Sequence, residues 1–164
     1  ALWDIQEAGQ ALLASAGYAQ YEVSAYARNG QQARHNLNYW RFGDFLGIGA
    51  GAHGKQSTLQ GAILRSWKTR LPKDYLAARR NFRAGERLLS RDELPFEFLM
   101  NALRLNDGVP AALFPRRTGI PLAALDTARR HCEALGLLHA DPQRLCATAR
   151  GQLFLNDLLQ HFLA

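Results

Sequence analysis

Cysteine is scarce: Cys132 and Cys146 are the two in 164 residues, 14 positions apart, and neither belongs to a CxxC pair. That spacing excludes a disulfide framework and a sequence-local zinc or iron-sulfur site, so both read as reduced core thiols. Long apolar runs are missing too. No stretch approaches the roughly 20 residues of a bilayer span, and no basic leader precedes an apolar core and cleavage site. A soluble, cytoplasmic protein is expected. Ser24 and Ser57 lack a nucleophile elbow or a nearby base, and His131, His139 and His161 lack a second ligand at i+3 or i+4. No hydrolase triad or helical metal pair is therefore defined, and no catalytic residue is assigned.

Basic residues are absent from positions 1 to 27, which carry three acids, whereas positions 28 to 91 carry 13 Lys or Arg against Asp44, Asp74 and Glu86. The remainder sums to about minus one, within an overall formal charge of +6. A basic middle between acidic and neutral ends implies an anionic partner confined to one region: nucleic acid, phosphate, or the carboxylates of a small ligand. At 48% apolar and 21% charged, the composition is that of one globular domain or two small ones. The chain opens on Ala1, and Leu2 to Ala16 already reads as a helix before any capping residue, as expected of a chain cut from a longer one.

Tyr18 to Ala27 alternates aromatic and small residues like a strand, and Phe45 to Ala52 is a second strand candidate. Helix, strand, loop with helix, strand is an α/β pattern. If the strands are parallel and joined by helical crossovers, Ala27 and His53 leave their carboxyl ends on a common face. Residues 55 to 70, with Gly61 between apolar positions, suit a hairpin or an irregular extension. A helix is expected from Pro72 to about Ala84. Ser90 and Glu93 form a capping box before the stripe Phe96, Leu99, Met100 and Leu103. Pro121 starts a helix that Gly136 ends, short strands LLHA and RLCA flank Asp141-Pro142, and Thr148 to Leu163 is a last helix. Helix, hairpin, helix over 121 to 163 is the order of a winged-helix-like module.

In LGIGAGAHG, residues 46 to 54, a strand would place Gly47, Gly49 and Gly51 on one face, bare of side chains. Such a face suits close approach by a ligand or another backbone, the alternative being tight packing against a neighbouring element. Gly49, Gly51 and Gly54 also satisfy G-x-G-x-x-G. Lys55 to Thr58 opens no convincing helix, however, and only Asp74 stands near the distance where a ribose-binding acid belongs, so a dinucleotide site is rejected.

In ARHNLNYWRFGD, residues 33 to 44, a helix puts His35 and Tyr39 on one face; Trp40 and Phe42 add aromatic surface, with Arg28, Arg34 and Arg41 around them. Imidazole ligates heme iron, aromatic rings cover a macrocycle and arginines pair with propionates, so the composition suits a porphyrin. A histidine beside Trp and Tyr is also a common hydrogen-bonded packing residue, and spacing alone leaves both readings open.

YEVSAYA, RHNLNYW, FGDFLGIGAGAHGK, ALRLNDG and ATARG follow in an order that resembles the heme chaperone branch of the oxygen-independent coproporphyrinogen III oxidase family, a radical S-adenosylmethionine group. The HNxxYW element stands intact as His35, Asn36, Tyr39 and Trp40. The resemblance implies heme binding by His35, Tyr39 and Trp40, with His35 on the iron and delivery to respiratory heme proteins. It implies an incomplete α/β barrel that holds a 4Fe-4S cluster through CxxxCxxC and binds S-adenosylmethionine, with Ala27 and His53 at contact positions. Residues 1–70 would be the last strands and helices of that barrel, and 71–164 a helical domain with the winged-helix-like end. Ala33 stands where the group commonly has a cysteine, and the cluster motif is missing here. Without cluster cysteines the chain cannot cleave S-adenosylmethionine by the family's chemistry. The other readings are the oxidase itself, with the arginines on substrate carboxylates, and a winged-helix nucleic-acid module. The last is disfavoured, because the final helix offers phosphates only Arg150.

Overall fold

The computed structural model describes residues 2–78 and 81–163. Helix α1 (Leu2–Ser15) buries none of its residues and leaves Leu2, Ile5 and Leu12 exposed. Gly17, in the left-handed region, turns the chain into β1 (Tyr18–Glu22), which pairs antiparallel with β2 (Ala25–Arg28). The expected single strand from Tyr18 to Ala27 is thus a hairpin. It breaks at Val23-Ser24, where the Glu22 carboxylate accepts the Ser24 N–H at 2.9 Å and replaces the ladder bond.

Helix α2 (Arg34–Trp40) carries the HNLNYW element. Just beyond it Phe42 takes a left-handed backbone, φ +57°, uncommon for a residue with a side chain. Burial accounts for it: the ring is 1% exposed and meets Phe98 edge-on at 5.5 Å.

Residues 45 to 52 do not form the expected strand. Gly49 and Gly51 have φ of +104° and +69°, and only Phe45 bridges to a neighbour, Lys55. The glycines therefore share no bare face. At Gly47 a Cβ would overlap the carbonyl of His53, so the close approach there is by the chain's own backbone.

A three-stranded antiparallel meander follows: β3 (His53–Ser57), β4 (Ile63–Lys68) and β5 (Arg83–Leu88). The hairpin expected within 55 to 70 is present, and the sheet continues across position 70. Helix α3 (Pro72–Ala77) is shorter than expected. Ala78 is already extended, and the chain returns to pair with β4; the expected span up to Ala84 also includes residues 79 and 80, outside the described ones. Every strand pair among the described residues is antiparallel. The parallel crossover arrangement expected for Ala27 and His53 is therefore not formed: Ala27 lies within β2 and His53 begins β3.

Helix α4 (Leu94–Ala102) buries Leu94, Phe98, Leu99 and Ala102. Half of the expected capping box forms, with Glu93 accepting the Ser90 N–H at 2.8 Å. Next come β6 (Val109–Pro110) and α5 (Leu113–Thr118), closed by left-handed Gly119. Pro121 leads into a 3-10 turn (Leu122–Leu125) and α6 (Asp126–Ala134), with Gly136 left-handed after it. Strand β7 (Arg144–Leu145) pairs with β6, while LLHA meets RLCA through the bridge Leu138–Ala147. The last helix divides at Phe154 into α7 (Ala149–Leu153) and α8 (Leu155–Gln160), and the Thr148 hydroxyl caps α7 by accepting the Gly151 N–H at 3.0 Å. One buried cluster runs from Tyr21, Ala27, Phe42 and Ile63 through Phe98 and Phe114 to Phe162, so the mixed α/β half and the helical half share a core. Among the described residues no helix is long and apolar enough to cross a membrane.

Candidate functional site

Helical geometry brings His35 and Tyr39 together as their spacing predicts: the rings meet edge-on with centroids 6.3 Å apart. Tyr39 in turn meets Phe45 at 4.4 Å. The His35 side is exposed, and among the described residues neither ring nitrogen has a hydrogen-bond partner. Leu37 and Trp40 turn inward and pack against the core. Over the Trp40 ring lies the guanidinium of Arg104, 4.5 Å from its centre, and Arg104 also reaches the Glu22 carboxylate at 3.3 Å. Asn36 donates to the Tyr21 hydroxyl at 3.2 Å, tying α2 to the first hairpin.

The turn after α2 is locked by a second set of contacts. Asn38 donates to the Asp44 carbonyl at 2.8 Å and fills the space where Gly43 would carry a Cβ. The Asp44 carboxylate accepts from Lys55 Nζ at 2.8 Å and from the Ser57 N–H and hydroxyl at 2.8 and 3.0 Å. Ser57 is thereby a structural donor. Lys55 is 2% exposed, with Nζ 4.3 Å from the centre of the Phe42 ring. Burial lowers its ammonium pKa against the pull of Asp44, and the Arg65 and Arg117 charges push the same way. Burial works to raise Asp44, but the hydrogen bonds from Lys55 and Ser57 outweigh it and hold the carboxyl below its ordinary value.

Of the three arginines expected around this element, Arg28 lies on β2 against the Tyr18 ring, 5.8 Å from its centre. In its place Arg117, from the last turn of α5, joins Arg34 and Arg41 around a recess of about 290 Å³ that Leu37 and Asn38 complete. No local periodicity announces Arg117, Arg104 or the buried Lys55, because each reaches α2 or its turn from a distant segment. Ala27 is buried in β2, and His53 is exposed at the start of β3, in a different sheet; the two are not joined by any strand pairing. His131 and His161 pack ring against ring at 4.9 Å. Among the described residues no group of three or more His, Cys, Asp or Glu could hold a metal ion.

The backbone arrangement is that of a solved radical S-adenosylmethionine enzyme, the coproporphyrinogen III oxidase HemN from Escherichia coli. The TM-score is 0.65 over 98% of this chain and 40% of that one, and at 16% identity the likeness is one of fold. Residues 89–154 match the HemN C-terminal domain. Beyond that domain, the similarity to curated proteins extends over the whole chain. The chain is 46% identical over all 164 residues to the heme chaperone HemW of Escherichia coli K12, and 45% identical over 163 residues to that of Haemophilus influenzae. The heme chaperone HemW of Mycobacterium tuberculosis H37Rv is 36% identical over 160 residues. The chain spans 43%, 42% and 37% of the lengths of these three relatives.

Proposed function

We propose that this chain carries the heme-binding element of a heme chaperone, with His35 as the iron ligand and Tyr39 beside it. The supporting observation is an exposed imidazole whose nitrogens have no protein partner, standing edge-on to Tyr39 on a helix held from behind. A packing histidine would be buried and hydrogen-bonded. In this reading Trp40 acts through its seat under Arg104, which holds the ligand helix in place. The family relationship supports delivery of heme to respiratory proteins as the task of the whole protein, with S-adenosylmethionine and a 4Fe-4S cluster as its other groups. The described residues supply no ligand set for the cluster, so no step through it is assigned to them. Ala27 and His53 are proposed as S-adenosylmethionine contacts from their place in the family pattern. Because Ala27 is buried, its share would be main-chain contact.

The oxidase reading is favoured by one feature, the recess lined by Arg34, Arg41 and Arg117, which would suit the carboxylates of coproporphyrinogen III. An absorption titration of the chain with ferric heme, beside its His35→Ala form, tests the first reading. We expect a histidine-ligated Soret band that the variant lacks, and an unchanged band in the variant would remove His35 from the iron. Conversion of coproporphyrinogen III by a full-length relative carrying this segment and a reconstituted cluster would favour the oxidase.

A further inference from the structure

The recess between α2 and α5 holds three arginine side chains and no acid. Arg34 and Arg41 stand seven positions apart, two turns on one helical face, with Leu37 and Asn38 between them. Arg117 closes the other side from α5. Elsewhere Arg65 pairs with Glu97, Arg87 with Glu93, Arg104 with Glu22 and Arg129 with Glu133, whereas others such as Arg28 and Arg144 have no carboxylate partner among the described residues; what marks the recess is that three guanidiniums face one hollow. Among the described residues none of the three recess arginines has a carboxylate partner. Asp44, the acid held next to this helix by Asn38, is already engaged by Lys55 and Ser57. Like charges gathered without counter-charge repel one another and are retained where an anion completes them.

We infer that this recess is a carboxylate site, in which Arg34, Arg41 and Arg117 hold the propionates of a tetrapyrrole whose iron lies at His35, an assignment that rests on the heme reading above. Three guanidiniums offer paired donors to planar carboxylates, and Leu37 supplies an apolar wall for the alkyl arm that carries them. The recess flanks the ligand, since Arg34 precedes His35 in the chain and its face is the neighbouring one on the helix. A nucleic-acid backbone would ask for a longer run of cations than these three.

The test compares hemin, hemin dimethyl ester and metal-free coproporphyrin III as probes of the chain, of Arg41→Gln, Arg117→Gln and their double variant, and of His35→Ala. All three recess arginines are exposed, so an unchanged melting temperature is the check on folding. The wild type should bind hemin about tenfold more tightly than its ester, and each single substitution should weaken hemin about twofold, within the scale of one ion pair at an exposed site. The double variant, left with Arg34 alone, should lose most of the preference for acid over ester while keeping the histidine-ligated Soret band. Equal binding of acid and ester by the wild type, or a preference undiminished in the double variant, overturns the recess. If His35→Ala leaves the hemin spectrum unchanged while the arginine variants still weaken coproporphyrin III, the ligand fails and the carboxylate site stands. If the band is lost but ester and acid never differ, the ligand stands and the site fails. Binding of neither porphyrin overturns both. Binding of a single-stranded oligonucleotide that is lost in the double variant, with no discrimination of acid from ester, would assign the recess to phosphates instead and overturn the proposal.

Discussion

The guanidinium carbon of Arg104 lies 4.5 Å from the centre of the Trp40 ring, joining two segments 64 positions apart in the chain. Arg104 also holds Glu22, which is 3% exposed, so helix α2, the first hairpin and the end of α4 meet at one cation. The buried Nε1 of Trp40 and Nε of Arg104 have no hydrogen-bond partner, which leaves the stacked pair reliant on packing and charge.

Replacing Arg104 by Ala should therefore cost more than a surface ion pair. It removes the stack and leaves the Glu22 carboxylate buried without its cation, a loss of about 2–4 kcal/mol in a denaturant titration. Arg104→Lys keeps charge but not the planar stack and should lie between the two.

Asp44→Asn should destabilise by about 1–3 kcal/mol, because it strands a buried ammonium whose other near neighbour is the Phe42 ring. Adding Lys55→Met to that variant should recover most of the loss, since the stranded charge goes with it. Additive losses in the double-mutant cycle would show that the two side chains act separately.

The pair also sets a pH dependence with two limbs. Asp44 has a folded pKa below its ordinary 3.8, so its contribution is present above that value and is lost as pH falls through the lowered one. Lys55 has a folded pKa below its ordinary 10.5, so burying its charge costs stability at neutral pH, and the cost is relieved as pH rises from the lowered value toward 10.5. Lys55→Met should remove the alkaline limb and weaken the acid one, where the Ser57 hydrogen bonds to Asp44 remain, in melting curves taken across pH; an unchanged profile would exclude the pair as their source.

Three glycines should respond differently to Ala. At Gly47 a Cβ overlaps the His53 carbonyl, for a loss of about 2 kcal/mol or more; at Gly49 there is open space but φ is +104°, for a loss of about 1–2 kcal/mol. Gly9, inside α1 with nothing near, should gain about 0.5–1 kcal/mol. Thermal melts of the three variants check the order.

Cys132 is fully buried, and burial, with a smaller push from Glu133, raises its thiol pKa to about 11. Iodoacetamide at pH 8 should modify the partly exposed Cys146 well before it, and peptide mapping of the native chain against the unfolded chain reads the difference.

Much of this was legible from short-range pattern. The i, i+4 spacing of His35 and Tyr39 predicts their shared face, Gly61 marks the hairpin over 55 to 70, and Gly136 ends its helix. What local pattern missed came from residues whose conformation answers to distant partners. Phe42 turns left-handed to reach Phe98, and the alternating glycines 47, 49 and 51 imitate a strand while the backbone of His53 presses against the first of them. Arg117 replaces Arg28 in the recess because α5 packs there, which nothing between positions 28 and 41 encodes.

Seven residues are too few to stay helical alone in water, so α2 depends on its contacts with Phe98's neighbourhood, Arg104 and the α5 face. During synthesis those partners are made tens of residues after His35. The surface around His35 is therefore finished late, and a nascent chain that stops short of Arg104 should not order this helix.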